Sequence, residues 1–172
     1  MTIEPDTKDW TWVLERPCPE CGLEASALDP ASYPALLRAN TATWLEVLSG
    51  DDLAQRPGPG VWSPLEYACH VHDVHVVFGD RLARMLAEDD PHFANWDQDA
   101  TAVEKDYEHA VPVEVAEALA ASGEALARGF ERVGPGGWAR PGTRSNGSVF
   151  TVESLGRYLL HDLIHHVHDV AP

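Results

Sequence analysis

Basic residues are scarce in this sequence: 12 Lys and Arg stand against 28 Asp and Glu, which gives a formal net charge of −16. Proteins bind nucleic acids and anionic membrane surfaces through patches of basic residues, so we expect neither as a partner. No apolar run approaches the ~20 residues of a transmembrane helix. The N-terminus, from Met1 to Asp6, lacks the basic-then-apolar layout of a signal peptide, so we expect a cytoplasmic protein.

Cysteine is also rare, with only Cys18, Cys21 and Cys69 in the chain. An odd number of cysteines without an export signal does not indicate a disulfide framework. Cys18 and Cys21 form a Cys-x-x-Cys pair between Pro17 and Gly22. Three interpretations stay open for this pair: reduced thiols partly buried in a tight turn, two ligands of a second metal site, or a redox dithiol.

The sequence has no alternating strand series and no internal repeat, but four segments carry apolar residues at helical spacing. These segments run from about Ser32 to Leu48, Pro64 to Ala87, Val113 to Arg132 and Val152 to Asp169. A chain of 172 residues is the size of one domain. The predicted fold is therefore all-α, a four-helix bundle that follows an irregular N-terminal segment.

Local signals mark where these helices begin. Ser63, Pro64 and Glu66 predict a capping box at the start of the second helix, and Thr151 predicts the cap of the fourth. Asn146-Gly147 predicts a small hairpin just before Thr151.

The connection from residue 88 to 111 is long for a loop. Its Asp97 and Asp99 are interpreted either as charged loop caps or as the entrance of a site.

Four of the nine histidines lie within eight residues of the fourth helix, at His161, His165, His166 and His168. His161 and His165 are four residues apart, so both side chains lie on one helix face, where two rings can hold a single metal ion. The other interpretation is a solvated polar face, because cationic His is favourable near a helix C-terminus. His166 is rotated about 100° from His165 and is expected to flank the site, whereas His168 could line it.

A third ligand can come from the second helix, because bundles build metal sites from facing helices. His70 shares a face with Glu66 and Val74 and is the best inward candidate. His72 and His75 point elsewhere and are expected to be solvated or at a helix boundary.

Trp62-Ser-Pro-Leu-Glu66 followed by His70, together with His161-x-x-x-His165, resembles the DinB/YfiT-like superfamily over about Ser32 to Val170. Members of this superfamily are compact four-helix bundles that bind a divalent metal through one His of the second helix and two of the fourth. The resemblance implies that His70, His161 and His165 are the metal ligands. It also implies a metal-binding bundle over residues 31–172, preceded by the irregular segment 1–30.

The superfamily includes mycothiol-dependent maleylpyruvate isomerases and bacillithiol transferases. The resemblance therefore implies a divalent metal, with zinc or nickel first, and mycothiol as a cosubstrate. The implied function is thiol-dependent S-transfer to, or isomerisation of, a small electrophile. A non-catalytic metal-binding or stress-related bundle and a metal-dependent hydrolase are the alternatives.

Three further features complete the expectations from sequence. The N-terminal Cys-x-x-Cys departs from the better-studied members and is similar to an actinobacterial branch. Glu66, Asp73 and Asp162 are candidates for the carboxylates that orient ligating imidazoles. The expected partner is a small-molecule substrate, and a bundle with exposed tryptophans can also pair as a homodimer.

Overall fold

The computed structural model describes residues 9–171. Five α-helices lie in this range: α1 (Tyr33–Val47), α2 (Pro64–Ala87), α3 (Gln98–Glu104), α4 (Pro112–Glu131) and α5 (Val152–Asp169). Three short strands accompany them: β1 (His92–Phe93), β2 (Pro141–Arg144) and β3 (Val149–Thr151). The four long helices α1, α2, α4 and α5 confirm the predicted bundle. Within the described residues, no helix is both long and apolar enough to cross a membrane.

The four long helices form a ring around one apolar core. Helices α1 and α2 each pack against both α4 and α5, so the two consecutive helices α1 and α2 lie diagonally across the bundle. The core between them contains fully buried side chains from every long helix: Leu37, Trp44, Leu82, Leu119, Leu159 and Leu163. Because α2 and α5 are direct neighbours, polar residues on their facing sides can build a common site.

The start of α2 is fixed by the capping box that the sequence predicts. The Glu66 N–H donates to Ser63 Oγ over 3.3 Å, and the Ser63 N–H donates to Glu66 Oε2 over 2.8 Å. Arg56 adds an ion pair to the same carboxylate. Glu66 is therefore committed to the helix start and does not orient an imidazole.

The connection between α2 and α4 is more structured than the sequence indicates. Residues 88–111 contain β1, α3 and a 3-10 turn at Tyr107–His109. Asp97 is a cap, because its Oδ1 accepts the Ala100 N–H that starts α3 over 2.9 Å. Asp97 and Asp99 also line the cavity described below. Asp97 is therefore both a helix cap and part of a cavity wall.

The predicted hairpin is present. Strands β2 and β3 pair antiparallel, and β1 adds to β2 in parallel. Gly147 has a φ of +90° in the turn, a conformation that glycine adopts without a steric penalty. The hairpin leads directly into Thr151, whose side chain caps α5 at the Ser154 N–H.

Gly156 of α5 packs directly against Tyr33, the first residue of α1. A Cβ at this position would overlap the buried ring of Tyr33, so only glycine fits without a shift. The Tyr33 hydroxyl donates to the Glu153 carbonyl over 3.0 Å. These contacts set the rotation of α5 about its axis, and hence which of its side chains face α2.

The N-terminal segment covers the outer side of α5. Residues 9–32 are irregular apart from 3-10 turns at Thr11–Leu14, Ala25–Ala27 and Pro30–Ser32, and the first two turns contact α5. Val13, Cys18 and Ala25 are the buried residues of this segment. Residues 1–8 of the predicted segment 1–30 lie outside the described range.

Candidate metal centre

Helix α5 presents polar groups on two adjacent faces. Leu155, Leu159 and Leu163 mark the stripe that it buries in the core. At 100° per residue, His166 lies about 60° from Leu163 around the helix axis, whereas His165 lies about 160° away. His166 therefore borders the core and faces α2, while His165 faces the N-terminal segment.

The face toward α2 brings three ligating side chains together. His70 Nε2 lies 3.1 Å from His166 Nε2 and 4.0 Å from Asp162 Oδ2, and His166 Nε2 lies 3.6 Å from Asp162 Oδ1. Two nitrogens bound at about 2.0–2.1 Å to a tetrahedral zinc ion would lie about 3.4 Å apart. His70, Asp162 and His166 thus have the separations of a two-His, one-carboxylate metal site.

An unpartnered oxygen supports this assignment. Asp162 Oδ2 is buried and accepts no hydrogen bond. A buried carboxylate oxygen without a donor is unfavourable, and a divalent cation would satisfy it. Imidazole and carboxylate donors suit zinc, nickel or iron, so the residues present fit a divalent metal.

The charges at this centre are strongly coupled. Burial, with the charge of His166 in addition, lowers the pKa of His70 to about 3. Burial opposes the charge on His166, but Asp162 and Asp169 outweigh it and raise the pKa of His166 to about 9. Burial likewise opposes ionisation of Asp162, but His166 outweighs it and holds the pKa of Asp162 at about 2. A proton on His166 and a divalent ion therefore compete for the same place, and metal binding releases a proton.

Neighbouring side chains fix the orientation of the His166 and His70 rings. His166 Nδ1 donates to Asp169 Oδ2 over 2.9 Å, which leaves its Nε2 directed at His70. The His70 ring stacks on Trp96 with a centroid distance of 5.4 Å and an interplanar angle of 3°. Trp62 packs on the same ring at 5.1 Å. These contacts fix the ligand orientation and keep bulk water away from His70.

The structure divides the predicted set of His70, His161 and His165 between two groups. His161 and His165 lie with Cys18 and Cys21, in a group whose ligand atoms are all within 4.8 Å of one another. His70 is buried on α2, as the sequence predicts, but its imidazole neighbour is His166. As one ligand set the three histidines stay a prediction, and the grouping of side chains favours a different division.

The structure places His166 beside His70, whereas the sequence predicts that His166 flanks the site. The His-x-x-x-His spacing fixes the angle between side chains of one helix but does not say which face meets α2. The leucine stripe of α5 carries that information, because Asp162 and His166 border it. From the sequence, Asp162 is predicted only as an orienting carboxylate.

Three other candidates lie outside this centre. Asp73 accepts hydrogen bonds from Lys105 Nζ over 2.7 Å and from the Tyr107 hydroxyl, and orients no proposed ligand. His168 is exposed and belongs to neither group.

The sequence predicts that His75 is solvated or at a helix boundary, but the structure buries it within α2, with 1% of its surface exposed. Its Nδ1 lies 3.1 Å from Ser122 Oγ, which also lies 3.0 Å from His72 Nδ1. The packing of α4 on α2 covers this face, which the periodicity of α2 alone does not reveal.

One cavity of about 630 Å³ opens over both groups. His161, Asp162, His165 and His166 line its floor. Its walls combine aromatic, acidic and amide side chains: Trp10, Trp62, Tyr67, Trp96, Tyr158, Asp9, Asp97, Asp99, Asn95 and Gln98. Among the described residues that line it, Arg144 is the single Lys or Arg. The cavity can admit a small molecule to the metal centre.

Comparisons with known proteins agree with this architecture. No curated protein sequence is significantly similar to the chain. Among solved structures, the fold is similar to that of YfiT from Bacillus subtilis, described as a probable metal-dependent hydrolase with an unusual four-helix bundle topology. The match has a TM-score of 0.72 at 20% identity and covers 82% of this chain and 85% of YfiT. The sequence model of the DinB superfamily matches residues 35–170, which include α2, α5 and every ligand of the candidate centre. The chain therefore belongs to the DinB superfamily.

Proposed function

We propose that this protein is a metal-dependent enzyme that activates the thiol of a small, hydroxyl-rich cosubstrate of the mycothiol type, for transfer to an electrophile or for its isomerisation. In this proposal His70, Asp162 and His166 hold the divalent ion. The observation that carries the proposal is the convergence of these three side chains, two of which, Asp162 and His166, line a cavity of about 630 Å³.

The ligand set suits this chemistry. Asp162 supplies one negative charge and the two imidazoles supply none, so a divalent ion would keep a net positive charge. Such an ion lowers the pKa of a coordinated thiol or water and so provides a nucleophile at neutral pH. Asp169 holds the His166 ring so that its Nε2 stays directed at the centre. Trp62 and Trp96 exclude water from His70, which strengthens electrostatic interactions there.

The cavity matches a cosubstrate rich in hydroxyl groups. Its volume lies within the usual range of about 300–1,000 Å³ for small-molecule sites. Asp97 and Gln98 offer oxygens that accept hydrogen bonds from hydroxyls, and Trp10 and Trp96 offer flat apolar faces for sugar rings. These features favour a thiol attached to a sugar-like group over a plain apolar thiol.

Arg144 supplies the recognition of an anionic electrophile. Its guanidinium is held by Asn146 Oδ1 at 3.0 Å and by Ser148 Oγ at 3.2 Å, and it lies over the Tyr158 ring. A fixed guanidinium binds carboxylates in a fork geometry, so we expect a substrate that carries a carboxylate or develops an enolate.

Hydrolysis is the second candidate function. Two His and one carboxylate form the ligand set of several catalytic zinc hydrolases. YfiT, which shares the fold, is described as a probable metal-dependent hydrolase. Hydrolysis differs from thiol transfer in needing no added thiol.

The test is an activity assay on metal-loaded protein with electrophiles such as monochlorobimane, with and without mycothiol, beside a panel of ester and amide substrates. We expect turnover that needs both the metal and the thiol, with a loss of at least ~100-fold in His166→Ala. Turnover without thiol would replace this proposal with hydrolysis. Metal-loaded protein that turns over neither panel would leave the non-catalytic bundle as the function.

A further inference from the structure

We propose that Cys18, Cys21, His161 and His165 bind a second metal ion, a structural zinc, which fastens the N-terminal segment to α5. The site is separate from the centre at His70 and does not depend on the proposed activity. It assigns to the Cys-x-x-Cys pair one of the three interpretations that the sequence leaves open.

The separations fit tetrahedral zinc. One ligand atom from each of the four residues lies within 4.8 Å of the other three, and Cys18 Sγ lies 3.6 Å from His165 Nδ1. With Zn–S of about 2.3 Å and Zn–N of about 2.0–2.1 Å, a tetrahedral ion places sulfur and nitrogen about 3.6 Å apart. Four protein ligands leave no open position, which is typical of a structural site.

A buried nitrogen without a partner points to the same ion. His161 Nε2 is buried and has no hydrogen-bond partner among the described residues. Cys18 is also buried, and Cys18 and Cys21 are free thiols rather than a disulfide. A disulfide between them would leave His161 Nε2 unsatisfied, whereas a metal ion uses all four groups.

Hydrogen bonds of the local backbone form a turn that brings the Cys18 and Cys21 thiols toward one ion. The Gly22 N–H donates to the Cys18 carbonyl, and the Cys18 N–H donates to the Leu23 carbonyl, each over 2.9 Å. Gly22 has a φ of +75°, which lets the chain reverse directly after Cys21. Redox-active Cys-x-x-Cys pairs gain reactivity from a helix N-terminus, but here the next α-helix begins only at Tyr33.

Carboxylates surround the outer side of the site. His165 Nε2, which faces away from Cys18, lies 3.4 Å from Glu20 Oε2 and 3.6 Å from Asp169 Oδ1. Ligating histidines usually direct the second ring nitrogen to a carboxylate, which fixes the tautomer and raises the basicity of the ligand. Both nitrogens of His165 therefore have the surroundings of a zinc-bound imidazole.

The site has a structural consequence for the cavity. Trp10 packs on His161 and His165, with ring centroids 5.8 Å and 5.3 Å apart, and it lines the cavity wall. An ion that ties residues 18–21 to α5 thus holds Trp10 in place beside the catalytic centre.

The experiment is a titration of the metal-stripped, reduced full-length protein with Co²⁺, a spectroscopic substitute for zinc. Thiolate ligands give an intense near-ultraviolet charge-transfer absorption that the ligands His70, Asp162 and His166 cannot give. We expect this absorption to saturate within about two equivalents per chain, because both proposed sites take up Co²⁺, and to be displaced by Zn²⁺. It should be lost in Cys18→Ser and Cys21→Ser, and altered in His165→Ala.

Matched controls isolate the site. Cys69→Ser removes the other cysteine, and His168→Ala removes an exposed histidine of the same helix, so both should keep the absorption. His70→Ala should also keep it, which separates this proposal from the one on the catalytic centre. Circular dichroism checks that each variant is folded.

Two results would overturn the proposal, and the wild-type protein alone can give either one. The first is saturation with Co²⁺ without any thiolate absorption. The second is a thiol titration of the denatured protein, made before any reduction, that finds only Cys69 free and so shows a Cys18–Cys21 disulfide. Full absorption in folded Cys18→Ser would count against it as well.

Discussion

At the scale of single residues, one carboxylate connects the two groups of ligands. Asp169 Oδ2 accepts the His166 Nδ1 proton at 2.9 Å, and Asp169 Oδ1 lies 3.6 Å from His165 Nε2. Each imidazole thereby keeps its other nitrogen directed at a metal position. Asp169 is thus a positioning residue for both sites and a ligand of neither.

Replacement of Asp169 by alanine should weaken metal binding. Loss of a carboxylate that orients a ligating imidazole typically reduces metal affinity by about 10–100-fold. Competition with a chelating dye measures the change, and Asp80→Asn, an exposed acid of α2, is the control for lost charge. Equal affinities of Asp169→Ala and wild type would show that Asp169 does not position these rings.

His75 should make stability depend on pH. Burial, with the charge of His72 in addition, lowers the pKa of His75 from 6.5 to about 4. Below pH 6.5, His75 is protonated in the unfolded chain but stays neutral in the folded protein. The free energy of unfolding therefore falls as the pH falls. Between pH 7.5 and 5.0, the free energy of unfolding of wild type should fall by roughly 2 kcal/mol more than that of His75→Gln. Parallel pH profiles of the two proteins in denaturant unfolding would contradict this account.

At the scale of elements, the sequence predicts what local chemistry decides. The four long helices, the capping box at Ser63 and the turn at Gly147 are all confirmed because each depends on neighbouring residues. The rotation of α5 is not local, since it depends on the contact of Gly156 with Tyr33. For this reason the histidine spacing predicts His161 and His165 as the partners of His70, whereas the structure places His166 beside His70.

A methyl group at Gly156 should disturb the position of α5. Its Cβ would overlap the Tyr33 ring, and such overpacking costs about 1–3 kcal/mol of unfolding free energy. Denaturant unfolding measures this loss, and chelator competition should show weaker metal binding because α5 carries ligands of both sites. Gly79→Ala on α2 is the control, because its Cβ would meet only Leu126 Cδ1 at 4.0 Å. The free energy of unfolding of Gly79→Ala should rise by about 0.5–1 kcal/mol. An equal loss in both variants would show that the close packing of Gly156 on Tyr33 is not the cause.

At the scale of the whole molecule, ions at the two proposed sites would join parts that are distant in sequence. The candidate centre at His70, Asp162 and His166 would join α2 to α5, and the proposed zinc site would join residues 18–21 to α5. The sequence suggests each ligand type, but it cannot show that the irregular N-terminal segment folds over the outer face of α5. That cover explains why His161 and His165 are buried although they lie far from the leucine stripe.

Removal of metal should therefore lower the melting temperature. An ion present at about 100 times its dissociation constant stabilises the folded state by about 2.7 kcal/mol per site. Differential scanning fluorimetry with and without a chelator measures the loss, which should be smaller in Cys18→Ser/Cys21→Ser because one site is already absent. A chelator that leaves the wild-type melting temperature unchanged would contradict metal binding at either site.

The most direct test of the central claim is the metal content of variants made in the Cys18→Ser/Cys21→Ser background, where only the candidate centre beside His70 is expected to hold an ion. Elemental analysis after loading and dialysis should find about one ion per chain in this background and in His161→Ala. It should find almost none in His70→Ala and His166→Ala. If His161→Ala loses the ion while His166→Ala keeps it, the ligands are His70, His161 and His165, and the centre proposed at His70, Asp162 and His166 is wrong.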